Sequence, residues 1–275
     1  MDILNNMVQA GIRGDFKKGW EISEELLKNK HLYSKKNNHR AAFNRGWYLL
    51  QQGKLLEGHR LLDHGRFEDI FGNKHIGTTA GIYRLGNREN TVLLNLEGGI
   101  GDQIKGYRWA FDLEKRGHKI CISSAPELCE LFSEKFITVE HQHALGIYHN
   151  WWLPSMSAIS ILEYEYKDIK GTPYIETDGE VVPGRVGVRW SGNPKFEHEQ
   201  HRLFPPELMF DAVKGFDCVS LQRDKDEELR PEWMAKTALG TWRSTRTSIS
   251  KCELVITSCT SVAHLAAAMG IETWV

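Results

Sequence analysis

Apolar positions along this chain follow two regimes. From the start to about residue 72 they recur at helical spacing: Trp20, Ile22, Leu26 and Leu27, then Ala42, Phe43, Trp47 and Leu50. That period marks helices with one buried stripe. A short repeat is superimposed on it. Gly14-Asp-Phe-Lys-Lys-Gly-Trp20 returns as Gly53-Lys-Leu-Leu-Glu-Gly-His59, 39 positions later (53 − 14). In both, a glycine–polar–apolar turn runs into a helix, which predicts paired antiparallel helices. Two units fall short of the roughly three that a free-standing solenoid needs, so the segment is expected to lean on the remainder of the chain.

Beyond a Gly- and Thr-rich connector at 72–90 the pattern changes to short β-branched runs alternating with helical stretches. Strands are expected at 91–96, 118–123 and 138–140, with helices at 103–116 and 126–132. A second linker at 181–185 precedes strands at 186–190, 218–221 and 254–256 and helices at 206–213, around 248–250 and at 262–269. A last strand begins at 271 and runs to Val275. Alternating strands and helices predict parallel, doubly wound sheets. The expected divisions are a helical segment at 1–75, one α/β domain at 76–183 and a second at 184–275. Trp151 and Trp152 read as packing residues at the cleft between the two α/β domains, and His141 and His143 as a loop.

Composition narrows the class. The 275 residues are 41% hydrophobic and 26% charged, ordinary for a globular protein. With 35 basic and 36 acidic residues the net charge is −1, which removes any bulk electrostatic case for nucleic acid or an anionic membrane. No apolar run approaches the ~20 residues of a membrane helix, and the N-terminus lacks the basic region and apolar core of a signal peptide. Five scattered cysteines without a Cys-x-x-Cys pair read as reduced, buried thiols, and the expected location is cytoplasmic.

The chemistry sits where strands give way to helices. Glu97-Gly-Gly-Ile-Gly-Asp102 follows one strand, Gly187-Val-Arg-Trp-Ser-Gly-Asn-Pro-Lys195 spans a second, and Ser258-Cys-Thr-Ser-Val-Ala-His264 follows a third. A helix N-terminus presents unpaired N–H groups and a positive dipole end, so each junction of this kind suits an anion. Asp102 has two readings, a helix N-cap or a general base in a cleft. Arg189, Lys195 and Arg202 suit diphosphate recognition, but with Glu197, His198, Glu199 and His201 beside them the residues alone favour a solvated charged loop. That His/Glu alternation fits no closed zinc pattern. Thr260 and Ser261 suit both capping and phosphate contact, and His264 on the same first turn is either a packing residue or a ligand contact.

These stretches resemble bacterial proteins in which tetratricopeptide-like helices precede a glycosyltransferase domain related to the heptosyltransferases, glycosyltransferase family 9. The matching residues are Ala42-Phe-Asn-Arg-Gly-Trp47 with Gln52-Gly53, Leu94-Asn-Leu-Glu-Gly-Gly-Ile-Gly-Asp-Gln103 with Tyr107-Arg108, the 187–195 stretch, Val219-Ser-Leu-Gln222, and 254–275. They occur in the family's order across nearly the whole chain. The resemblance implies a GT-B fold, in which two Rossmann-like domains face across a cleft. It implies transfer of a sugar from a nucleotide-diphosphate donor to an acceptor hydroxyl, inverting and without metal or cofactor. Asp102 falls at the position of the proposed base. Gly98, Gly99 and Gly101 fall at the loop beneath it, and Ser191, Asn193, Lys195, Arg202 and Gln222 on the donor side. Thr260, Ser261 and His264 fall on the helix that receives the diphosphate.

The expected partners are a nucleotide sugar, a glycan, lipid-linked or protein acceptor, and a protein bound through the helical segment. Two departures stand out. Many relatives carry Asp where this chain has Cys259, and relatives continue past Val275 with a loop and closing helices, so the chain is expected to be incomplete. Both departures favour the rival reading, a binding or scaffold protein that keeps the fold without turnover. A dehydrogenase is disfavoured, because no strand carries Gly-x-Gly-x-x-Gly with an acidic residue about 20 positions on.

Overall fold

The computed structural model describes residues 3–68, 76–88, 90–194, 202 and 204–275, so Lys195 lies outside the described residues. Residues 3–62 build two helical hairpins, α1 (Ile3–Ile12) with α2 (Phe16–Lys28), and α3 (Lys35–Gln51) with α4 (Leu55–Leu62). The repeat has a physical meaning at each of its glycines. Gly14 and Gly53 adopt φ +75° and +77°, the left-handed conformation that ends one helix and turns the chain into the next. Their partners Gly19 and Gly58 are contact points. A Cβ on Gly19 would overlap the Tyr48 hydroxyl, and one on Gly58 would lie 2.7 Å from Leu50 Cδ2. Asp15 then caps α2 by accepting the Lys18 N–H at 3.1 Å, and Ser34 caps α3 through Asn37 N–H at 3.2 Å. The buried stripe holds Ile22, Leu26 and Ala42, whereas Leu27 and Trp47 of the predicted pattern are exposed.

Two all-parallel sheets come next along the chain. The first has the order β1–β5–β2–β3–β4, from β1 (Gly81–Ile82), β2 (Thr91–Asn95), β3 (Lys119–Ser124), β4 (Ile137–Glu140) and β5 (Trp151–Pro154). Helices α5 (Ile100–Lys115), α6 (Pro126–Phe132) and α7 (Ala158–Ile161) accompany it. The second sheet has the order β7–β6–β8–β9, from β6 (Arg185–Arg189), β7 (Asp217–Ser220), β8 (Leu254–Thr257) and β9 (Glu272–Trp274). Its helices are α8 (Pro206–Val213), α9 (Trp242–Ser250) and α10 (Ser261–Ala268).

Two strands escape the sequence pattern. β1 lies inside the stretch read as a connector, and two residues are too few to show a period. β5 is the Trp151–Trp152 pair, which therefore belongs to the sheet and not to a cleft. Trp152 is fully buried and packs with Leu93, Cys121 and Ala144. The short helix expected around 248–250 begins at Trp242, where Thr241 and Ser244 cap one another reciprocally at 2.9 and 3.1 Å.

One apolar core joins the two sheets. Leu94, Ile104 and Leu113 from the first share a cluster with Leu221, Val255 and Leu265 from the second. A polar clamp reinforces it: the buried Arg246 of α9 pairs with Glu134 of the first unit and, at 2.8 Å, with Asp178 of the connecting strap. That strap also donates the Tyr174 and Ile175 N–H groups to the Ala268 carbonyl at 2.9 and 3.1 Å. All five cysteines are free. Cys121, Cys218 and Cys252 are buried, but Cys259 is exposed. No described helix is long and apolar enough to cross a membrane.

Candidate active site

In each sheet the strand order reverses direction about its first long strand. Chain order runs from β2 outward through β3 and β4, then returns to the other side of β2 with β5. Likewise β6 has β7 on one side and β8 on the other. Open parallel sheets bind ligands beyond the carboxyl ends of the strands at such reversals. Here those ends carry Leu96–Gly101, Ser155–Ser157, Trp190–Asn193 and Ser258–Thr260.

The helices that leave the two reversal points pack against each other at their first turns. α5 starts at Gly99 and α10 at Thr260. A Cβ on Gly101 would lie 2.5 Å from His264 Cδ2 and 3.4 Å from the Ser261 Cα, so only glycine allows this approach. The close approach that Gly101 permits is to the protein's own second α/β unit. The first turns of the two helices are thus in direct contact, and the positive dipole end of each lies at that contact.

Asp102 is not the N-cap. It is the third residue of α5, and its Oδ2 accepts the Gly99 N–H at 3.1 Å. Oδ1 lies 3.6 Å from Lys105 Nζ, and the side chain is 40% exposed, so the carboxylate is reachable while held. Gly98 makes this turn possible with φ +79°, and a Cβ there would meet both Met156 and Asp102 below 3 Å. Gln103 secures the loop from behind, donating to the Gly98 carbonyl at 3.1 Å and accepting the Ala125 N–H at 2.8 Å.

At α10 the Thr260 side chain does not cap its helix. Its Oγ1 sits 3.1 Å from Thr257 Oγ1. The neighbouring Ser258 is only 7% exposed, and its hydroxyl has no hydrogen-bond partner among the described residues. Arg202 reaches the same turn, donating to the Cys259 carbonyl at 2.5 Å. His264 is held below its usual pKa by burial, reinforced by Lys105 and opposed by Asp102, so it is neutral at pH 7.

Other predicted donor contacts are engaged internally. Gln222 accepts the Trp190 and Ser191 N–H groups at 3.2 Å and donates to Ser191 Oγ at 2.7 Å, while Ser191 Oγ donates to Asp226 at 2.6 Å. These two side chains shape the loop after β6 from within. The Arg189 guanidinium is likewise engaged, buried against the Ser191 and Leu221 carbonyls and Asp224. Asn193 remains exposed on that loop.

Three residues at the site had no distinguishing sequence signal. Glu97 is fully buried and bound by Arg66, which arrives from the helical segment. Arg223, half-buried just past β7, lies with its guanidinium carbon 4.3 Å from the Trp242 ring centroid. Among the described residues it has no hydrogen-bond or ion-pair partner, and burial lowers its pKa against the pull of Glu127. No cluster of His, Cys, Asp and Glu suited to a metal occurs among the described residues.

No family model and no curated protein matches the chain. Two solved structures resemble it. The E. coli ADP-heptose LPS heptosyltransferase II has a TM-score of 0.48 and 12% identity over 66% of this chain and 83% of that one. The iron-containing dodecameric glycosyltransferase TibC from enterotoxigenic E. coli H10407 has a TM-score of 0.48 and 9% identity over 71% of this chain and 59% of that one.

Proposed function

We propose that the chain is a GT-B-type glycosyltransferase that moves a sugar from a nucleotide-diphosphate donor to an acceptor hydroxyl, with inversion and without a metal. The observation that carries this reading is the start of α10: a helix N-terminus, a buried Ser258 hydroxyl without a partner among the described residues, and Arg202 bound to the same turn. An unsatisfied buried hydroxyl costs about 1–3 kcal/mol, a cost a bound oxyanion relieves. The donor diphosphate accepts the N–H groups of Ser261 and its neighbours, and Arg223, without an ion-pair partner among the described residues, supplies a further cation at the ligand end of the second sheet.

Asp102 then takes the proton of the acceptor hydroxyl. The acceptor oxygen bonds to the anomeric carbon, and the bond from that carbon to the diphosphate oxygen breaks. The leaving diphosphate carries its charge into the α10 site, where helix and guanidinium groups stabilise it. Cytoplasmic location and a protein partner for the helical segment belong to the same proposal.

The direct packing of Gly101 on His264 favours a second reading, in which the fold binds nucleotide without turnover because α5 and α10 leave no passage between them. A thermal-shift series with nucleoside, nucleoside diphosphate and nucleotide sugars tests the binding step, since a ligand of the native state raises stability by mass action. The diphosphate is expected to stabilise where the nucleoside does not, and Arg202→Ala is expected to weaken it by about 1.5–3 kcal/mol. Equal binding of the bare nucleoside removes the site. Binding without sugar transfer to any acceptor selects the second reading.

A further inference from the structure

We propose that Arg66, contributed by the helical segment, positions the Asp102 carboxylate by way of Glu97 and Met156. Asp102's chemical role rests on the proposed transferase function, but the positioning stands on geometry alone. Arg66 lies just past α4 in the turn Asp63–Glu68 and grips the fully buried Glu97 with two hydrogen bonds, Nη1–Oε1 at 2.5 Å and Nη2–Oε2 at 2.8 Å. The same Oε2 accepts the Met156 N–H at 3.1 Å. Arg66 also donates to Ser157 Oγ from Nε at 3.0 Å and Nη2 at 2.8 Å, and Ser157 Oγ donates to Asp63 at 2.5 Å. Glu97 donates its own N–H to Ser155 Oγ at 2.9 Å.

Glu97 is therefore tied at both backbone and side chain, and the residue after it is Gly98. A Cβ on Gly98 would lie 2.7 Å from Met156 Cε and 2.8 Å from Asp102 Oδ2. Gly98 is wedged between the methionine that Glu97 fixes and the Asp102 carboxylate. Movement of Glu97 or Met156 must be transmitted to the turn that carries Asp102, because close-packed groups have no slack. Docking a helix does not require such a pair, since apolar residues of similar volume often stabilise as well or better. A second link between the same two regions, Arg60 with Glu163 at 3.1 Å, is exposed at both ends and serves as a control.

Hydrogen–deuterium exchange on the full chain tests this without any ligand. Arg66→Met is expected to raise exchange of the 98–103 amides about tenfold over the change seen in β3, with Arg66→Lys intermediate because it keeps charge but loses the fork. Arg60→Met is expected to leave the loop as in the parent. Uniform acceleration of loop and sheet together would mean that Arg66 only stabilises the fold, and the proposal fails. Should Arg66→Met not fold, Arg66→Met/Glu97→Leu removes both charges. Fast loop exchange in that folded double variant supports positioning, and parental exchange overturns it. If nucleotides fail to bind the parent protein while the exchange result holds, the transferase reading falls and the positioning does not.

Discussion

At the scale of single residues, two side chains divide structural from chemical roles. Asp102 accepts the Gly99 N–H, a bond that Asn at the same position also accepts. Asp102→Asn is therefore expected to change stability by a few tenths to about 1 kcal/mol in denaturant unfolding. Turnover is expected to fall about 10²–10⁴-fold, the usual worth of a positioned base. Near-parental turnover would leave the carboxylate as a cap alone. Ser258 makes the opposite prediction. Its buried hydroxyl lacks a partner, so Ser258→Ala is expected to unfold at an equal or higher denaturant midpoint without ligand, yet to bind nucleoside diphosphate more weakly by about 1 kcal/mol. A lower midpoint with unchanged affinity would assign the hydroxyl to the fold. Asp102 was legible in the sequence because it follows a glycine loop at a strand end. Ser258 was not distinguishable from Thr260 and Ser261, since burial without a partner is visible only in three dimensions.

At the scale of elements, the glycines of the helical repeat set how closely its helices cross. A Cβ on Gly46 of α3 would lie 2.8 Å from the Gly58 carbonyl of α4, a backbone atom that cannot rotate away. Gly46→Ala gains helix propensity of about 1 kcal/mol but forces the helices apart at an overpacking cost of about 1–3 kcal/mol. A net loss of stability in urea unfolding, with nucleotide affinity retained, is the expected result. A stabilised variant would show that α3 and α4 separate freely. The repeat disclosed the turns at Gly14 and Gly53 directly, because a positive φ selects glycine at fixed spacing. It was silent about Tyr48, whose ring fills the space at Gly19 from another helix and also donates to the Met7 carbonyl at 2.9 Å.

At the scale of the molecule, the junction between helices and sheet imposes a pH dependence. Burial lowers the His59 pKa to about 4, with Lys105 adding to the shift, and its Nδ1 has no partner among the described residues. Between pH 6.5 and about 4 the unfolded chain binds a proton there that the folded chain refuses. Stability must therefore fall as pH drops through that window, by at most roughly 3 kcal/mol for this group. Asp63 beside it is shifted upward, chiefly by burial, and contributes with the opposite sign above pH 3.8. Comparing denaturant midpoints of the parent and His59→Asn at pH 7 and pH 4.5 isolates the histidine. The difference between the two proteins is expected to shrink or reverse at the lower pH, and an unchanged difference would place His59 in contact with water.

Residue order encodes the local elements: helical period in the first segment, β-branched runs ending in small polar residues, and glycines where the chain turns left-handed. These arise from short-range sterics and the burial of one face, which the residue order encodes directly. It also placed Asp102 and Ser261 at helix starts. Only the folded chain brings those two starts into contact, because the approach of Gly101 to His264 joins residues 163 positions apart (264 − 101). It alone put Trp151 and Trp152 into the sheet, turned Arg189 and Gln222 inward, and brought Arg66 to Glu97. Each of these depends on which buried group finds which partner across the fold, and a buried ion pair leaves no periodic trace in the chain that carries it.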